Sequence, residues 1–144
     1  MKSESVPSDW SALLALQRAT HATLHVLAAE LVDLDLTAAE INALANLADG
    51  TGRTVGALAT ATGTRPSTLT SLLDRLTRRG YIVRETDLAD RRSFVVRLTP
   101  AGQAAAVRAA EAVADLEQQA LATVTPEQLA GFHALIDALT EVSR

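Results

Sequence analysis

The side chains best suited to chemistry lie in and around a single helical segment near the middle of the sequence. Four leucines between positions 69 and 76 recur at spacings of three and four, which is typical of an amphipathic helix. The opposite face carries hydroxyl and guanidinium groups, which bind phosphate oxygens and base edges. The candidate contact residues are Arg65, Pro66, Ser67, Thr68, Thr70, Ser71 and Arg75.

A second group of basic side chains follows in a predicted hairpin. The segments 81–85 and 93–98 are rich in β-branched and aromatic residues and favour strands. Between them, the polar sequence TDLADRR places Arg91 and Arg92 at the turn, where the side chains of adjacent residues diverge. A helix followed by such a hairpin can lie on duplex DNA, with the helix in the major groove and the hairpin tip in the minor groove.

The charge distribution supports this interpretation. The chain has a formal net charge of −4, yet the stretch from Arg53 to Arg97 holds nine arginines against four acids, a net charge of +5. The rest holds four basic and thirteen acidic residues, a net charge of −9. A basic face on an acidic body concentrates the attraction for phosphate in one place.

Composition excludes several other classes of protein. The 144 residues are 48% hydrophobic, rich in alanine and without cysteine, which favours one mainly α-helical domain without disulfides or thiol-ligated zinc. The sequence has no Gly-rich phosphate loop and no plausible nucleophile–base pair, so we predict neither an enzyme nor a cofactor. Without a long apolar run, no signal peptide or membrane anchor is expected, and a cytoplasmic location follows.

The elements that position these residues can be predicted from periodicity and capping signals. Residues 1–8 resemble a frayed tail, and a long helix capped by Ser8 or Asp9 should extend to about Val32. Capping boxes at 37–40 and 125–128 begin two further helices. The remaining predicted helices span 55–62, 66–79 and 100–122, the segment 51–53 is a loop, and the last helix ends near residue 142.

This order of elements and the motif of residues 66–102 resemble the MarR family of bacterial winged helix-turn-helix regulators. The resemblance rests on the STLT…LLDRL…RG helix, the DRR turn and the V-x-LT-x-x-G motif that follows. The resemblance covers nearly the whole chain. Many members have proline in the hairpin where this chain has Leu88, which leaves the loop slightly less stiff.

The resemblance implies an architecture and a partner. Residues 1–144 form a single MarR-like domain that is mainly α with a small β-hairpin. Residues 9–35 and 100–144 make a helical dimerisation lobe, and 37–99 make the DNA-binding lobe. In that lobe the recognition helix spans about 66–79 and the wing about 81–98. The expected partners are a second copy of the chain and a pseudo-palindromic double-stranded DNA operator.

The family pattern also implies that one wing arginine enters the minor groove while the other holds the wing. We assign Arg91 to the groove and Arg92 to a bridge with Asp74, because an acid that faces DNA repels phosphate unless it is paired. Asp90 is the second expected wing-supporting residue. The alternative is that both arginines simply lie near phosphate.

A small-molecule effector, commonly an aromatic acid, is a further implication of the family. The expected crevice between the lobes is lined by Arg18, His21, Leu24, Ile41 and Ala45. An equally good interpretation of His21 is a partly buried residue bonded to a backbone oxygen. His21 and His25 have the i, i+4 spacing of metal ligands, but without a clear third ligand we predict no metal site.

The sequence therefore favours a homodimeric, DNA-binding repressor that an effector releases from its operator. Two alternatives stay open. One is a DNA-binding regulator that needs no ligand, and the other is a winged-helix scaffold that binds protein, although the nine arginines disfavour the scaffold.

Overall fold

The computed structural model describes residues 10–144, which form six α-helices and a three-stranded sheet. The mainly α fold class with a small β element is thereby confirmed. In chain order the elements are α1 (Ala12–Glu30), α2 (Ala38–Ala45), β1 (Arg53–Thr54), α3 (Val55–Thr62), α4 (Pro66–Arg78), β2 (Ile82–Thr86), β3 (Phe94–Leu98), α5 (Pro100–Leu121) and α6 (Pro126–Val142).

The helix boundaries follow the capping signals, with one correction. The hydroxyl of Ser11 accepts a hydrogen bond from the backbone N–H of Leu14 and caps α1. The predicted caps Ser8 and Asp9, like the predicted tail at 1–8, lie outside the described residues. Both predicted capping boxes are present, at the starts of α2 and α6.

The sheet contains a strand that the sequence did not predict. Its order is β1-β3-β2 with antiparallel pairing, and Arg53 and Thr54 of β1 lie opposite Val96 and Val95 of β3. The segment 51–53 was expected to be only a loop. A strand of two residues is too short to show alternation, so its pairing arises from the tertiary structure.

The chain separates into two compact units, one that extends through Val113 and one that comprises Ala114–Arg144. The first unit holds the core, in which Ile41, Leu44, Leu58 and the four leucines of α4 are buried. The second unit contains the end of α5 and all of α6, and no residue of α6 is buried. The predicted division into a dimerisation lobe and a DNA-binding lobe stays a prediction.

Gly102, at the start of α5, allows a very close backbone approach. A Cβ atom at this position would lie 1.8 Å from the carbonyl oxygen of Tyr81. The hydroxyl of Thr99 accepts from the N–H of Gly102 at 3.0 Å and donates to the carbonyl of Gly80 at 2.6 Å. These contacts fix the beginning of α5 against the turn that precedes β2, and with it the base of the hairpin.

Two acids outside the hairpin have perturbed pKa values. The side-chain hydrogen bonds from Arg108 lower the pKa of Asp33 below its ordinary value, and the pair joins α5 to the turn that follows α1. Hydrogen bonds from the backbone and hydroxyl of Thr51 lower the pKa of Asp49. Both acids are exposed, so these bonds contribute little to stability.

Among the described residues, none of the helices combines the length and apolarity that crossing a membrane requires.

Candidate nucleic-acid interface

The helix α4 presents one polar face to solvent because its other face is held in the core. Leu69, Leu72, Leu73 and Leu76 are all at most 2% exposed. Pro66 occupies the first turn, where its missing N–H is harmless, and Arg65 is the N-cap residue. Gly63, with a φ of 66°, ends α3 in the left-handed region and turns the chain into α4. The two helices form the predicted helix-turn-helix.

Every predicted contact residue in the first two turns of α4 lies on this exposed face. These residues are Ser67, Thr68, Thr70 and Ser71, preceded by the exposed Arg65 and Pro66. The hydroxyl of Thr70 donates to the carbonyl of Pro66 at 2.9 Å, which leaves the oxygen of Thr70 as an acceptor. The face offers short polar groups near a helix N-terminus, where backbone N–H groups favour phosphate.

The wing is the hairpin of β2 and β3, and side-chain bonds shape its tip. The carboxylate of Asp87 accepts from the N–H of Ala89, and that of Asp90 accepts from the N–H of Arg92, each at 3.0 Å. Ser93 donates its hydroxyl to Asp87 at 3.3 Å. These bonds order the loop around Leu88. Asp90 thus has a local role in the turn.

The nine arginines between residues 53 and 97 divide into two groups. Five use their guanidinium groups within the protein: Arg53, Arg75, Arg79, Arg84 and Arg97. In the described part of the chain, the other four make no side-chain hydrogen bond or ion pair, and all are exposed: Arg65, Arg78, Arg91 and Arg92. The second group is the cationic surface that a polyanion can reach.

Asp74 bonds to Arg84, which corrects the assignment of its partner to Arg92. The two side chains meet at 2.5 Å between Nη2 and Oδ1. Arg84 lies two residues after the buried Ile82, so it shares the strand face that packs toward α4. Arg92 is in the turn at the far end of the hairpin. Strand alternation could have identified Arg84, but the family pattern directed attention to the DRR turn.

Arg75 is engaged with a residue that sequence reasoning treated only as part of a helix cap. Its Nε donates to Oε1 of Glu40 at 2.9 Å, while Oε2 of Glu40 accepts from the N–H of Thr37 at 3.1 Å. The Glu40 side chain is 4% exposed and that of Arg75 is 44% exposed. The bond joins α4 to the N-terminus of α2, so a structural role competes with the predicted base contact.

The residues predicted to line an effector site differ in their exposure to solvent. Arg18 and His21 lie on the exposed part of α1, Leu24 and Ala45 are half-buried, and Ile41 is 1% exposed. Ile41 therefore belongs to the core of the first unit instead of the wall of an open crevice. Within residues 10–144, no three His, Asp or Glu side chains gather to hold a metal ion.

Comparisons with known proteins agree with this geometry. A model of the MarR family matches residues 34–93, from the turn before α2 to the end of the wing tip. No curated protein matches the chain at a significant level.

Solved structures match over most of the chain. A MarR-family transcriptional regulator from Silicibacter pomeroyi is 29% identical, with a TM-score of 0.77, over 94% of this chain and 92% of that one. A mutant of MarR from E. coli, complexed with operator DNA, is 25% identical, with a TM-score of 0.69, over 87% and 90%. BpsR from Bordetella bronchiseptica, whose DNA binding is regulated by 6-hydroxynicotinic acid, is 23% identical, with a TM-score of 0.74, over 94% and 96%.

The predicted resemblance is confirmed by the family match to the DNA-binding segment and by the fold of almost the entire chain. The chain is a winged-helix, DNA-binding transcriptional regulator that resembles the members of the MarR family.

Proposed function

We propose that this protein acts as a homodimeric repressor that binds a pseudo-palindromic DNA operator and is released from it by an aromatic acid. The observation that supports this DNA-binding surface is that some arginines bond within the protein while others remain exposed and unbonded. Arg65 precedes the hydroxyl face of α4, and Arg91 and Arg92 lie at the tip of the wing, while five other arginines between residues 53 and 97 bond within the protein. The major groove receives the hydroxyl face, and the minor groove receives the wing tip.

Dimer formation is supported by apolar side chains that the single chain leaves in solvent. In and before α1, Trp10, Leu13 and Leu14 are 77%, 47% and 44% exposed. In α6, Phe132 and Leu135 are 48% and 36% exposed. Large apolar side chains exposed together on one helix are candidates for an interface, and each of these two helices carries such side chains. A two-fold dimer places the two recognition helices one DNA turn apart, roughly 34 Å.

The proposed effector site is supported by the chemistry of two exposed side chains of α1. The exposed His21 and Arg18 of α1 offer an imidazole and a guanidinium to a carboxylate. BpsR is regulated by an aromatic acid, but at 23% identity that likeness concerns the fold alone. A ligand lowers DNA affinity only to the extent that it prefers the protein conformation that does not fit DNA.

The proposal is tested by footprinting the protein on the DNA upstream of its own coding region. We expect two protected half-sites whose centres are one helical turn apart. Salicylate and 6-hydroxynicotinate are then titrated into the complex of the wild type and of His21→Ala. Release that His21→Ala weakens supports the effector site. Protection without release by any aromatic acid identifies a ligand-independent regulator, and no protection of any duplex favours a protein-binding scaffold.

A further inference from the structure

We propose that the groove between α4 and β2 receives a DNA backbone phosphate, and that Arg78 is the arginine of α4 that binds it. This inference rests on the proposed function. The sequence alone directed attention to Arg75 as the DNA-contacting arginine of this helix, and it left Arg78 without a role. In the structure, Arg75 is bonded to Glu40, whereas Arg78 is exposed.

Arg75 is held back by a buried acid. Glu40 is the only charged residue among the buried ones in the described part of the chain, and it is 3% exposed. A carboxylate in such a place needs a cation and hydrogen-bond donors. Arg75 supplies the cation through Nε at 2.9 Å, and Thr37 supplies a backbone N–H at 3.1 Å. Drawing Arg75 toward DNA would leave the carboxylate without its counterion.

The second capping box shows that capping does not require this charge. At the start of α6, Gln128 performs the same task with an amide oxygen, which accepts from the N–H of Thr125 at 3.0 Å. Gln128 is exposed, whereas Glu40, which has the same place in the first box, is buried. Burial disfavours a charge, so the acid at position 40 is explained by its pairing with Arg75. Arg75 is therefore a structural partner that ties α4 to α2.

Arg78, unlike Arg75, lies near the centre of the exposed face of α4. At about 100° per residue, Arg78 projects almost opposite to the centre of the buried leucine stripe, while Arg75 lies on the flank. It is exposed, and in the described part of the chain its side chain has no bonded partner. It lines an open groove of about 660 Å³ together with Asp74, Thr77, Val83 and Arg84.

The charges of the groove suit a single phosphate. Asp74 is bonded to Arg84, so two arginines and one acid leave a net charge of +1. The groove lies between the recognition helix and the base of the wing, where a DNA strand must pass if both elements bind the same duplex. The base-reading hydroxyls are in the first turns of α4, whereas Arg78 is in the last turn, and this favours a backbone contact over a base contact.

The test compares four proteins in salt titrations of DNA binding, on the footprinted duplex and on an unrelated duplex. Arg78→Ala should weaken binding about tenfold on both duplexes and reduce the log–log salt slope of the dimer by about 1.8, which is about 0.9 for the one phosphate that each protomer neutralises. Arg78→Lys should retain most of both, because a lysine binds phosphate as a point charge. Arg108→Ala, which removes one charge from α5, should leave the slope unchanged. All four should unfold at similar temperatures, since Arg78 is exposed.

A second arm separates Arg78 from Arg75. The double variant Glu40→Gln, Arg75→Gln removes both members of the ion pair together and should keep DNA affinity within about threefold of wild type. If it unfolds, Arg75→Lys takes its place, because lysine keeps a cation opposite Glu40. An unchanged affinity or slope in Arg78→Ala overturns the proposal, and so does a decrease of affinity in the second arm equal to that of Arg78→Ala. Failure of the wild type to bind either duplex contradicts the proposed function itself.

Discussion

At the scale of single residues, the wing and the recognition helix are joined by the bond between Asp74 and Arg84. The distance of 2.5 Å joins the exposed face of α4 to β2, although the two side chains are 57% and 31% exposed. Exposed ion pairs contribute little to folding stability, about 0–1 kcal/mol. The pair therefore matters for the orientation of the wing more than for the free energy of unfolding.

Asp74→Ala should lower DNA affinity by about threefold to tenfold, because Arg84 loses the acceptor that orients it. The change removes a negative charge close to phosphate, so electrostatics alone predicts tighter binding. Fluorescence anisotropy with the footprinted duplex measures the difference. Arg84→Ala and the double variant complete the cycle, in which the two changes should not be additive. If Asp74→Ala binds more tightly than wild type, the pair does not position the wing.

At the scale of elements, most helix boundaries could be predicted because they depend on local signals. The threonines at 37, 54 and 125 cap helices as their sequences predict, and Gly63 ends α3 with a positive φ. Features that depend on tertiary contacts could not be predicted from local signals. The two-residue β1 needs β3 beside it, and the partners of Asp74 and Arg75 come from other elements.

The junction between the wing and α5 gives a prediction about stability. Gly102→Ala should destabilise the fold by about 1–3 kcal/mol or more, because its Cβ would overlap the carbonyl of Tyr81 and backbone must move. Gly56→Ala in α3 is the matched control, since its Cβ meets nothing within 4 Å. We expect that control to be neutral or slightly stabilising, by up to about 0.5–1 kcal/mol. Chemical denaturation measures both, and equal stabilities of the two variants would contradict the assigned packing.

At the level of the whole molecule, the exposed apolar side chains of α1 and α6 support the proposal that the functional form is a dimer. Only Leu27 is buried in α1, and no residue is buried in α6. Sequence periodicity predicted both helices, but the partner that covers their apolar faces cannot be read from periodicity. The family resemblance supplied the expectation of a dimer, and the exposed side chains give that expectation a physical basis.

Phe132→Asp should weaken the dimer, because it places a charge in the proposed apolar interface. Sedimentation at micromolar concentration should show a dimer for the wild type and a shift toward monomer for the variant. DNA affinity should fall in parallel, since two linked recognition helices bind more tightly than one. Glu127→Ala, in the first turn of the same helix, is the control and should remain dimeric. Sedimentation of the wild type as a monomer would contradict the proposed dimer.

We propose above that α4 and the wing bind duplex DNA through the arginines whose side chains are not bonded within the protein. A salt titration of the footprinted duplex, with wild type beside the variant that carries Arg91→Ala and Arg92→Ala, tests it most directly. We expect wild-type affinity to fall steeply as salt rises. The double variant should bind more weakly, with a log–log slope smaller by about 0.9 for each phosphate that is no longer neutralised. Arg97→Ala, which lacks a charge that is already paired with Glu85, should keep the wild-type slope. A double variant with the wild-type affinity and slope would contradict the claim.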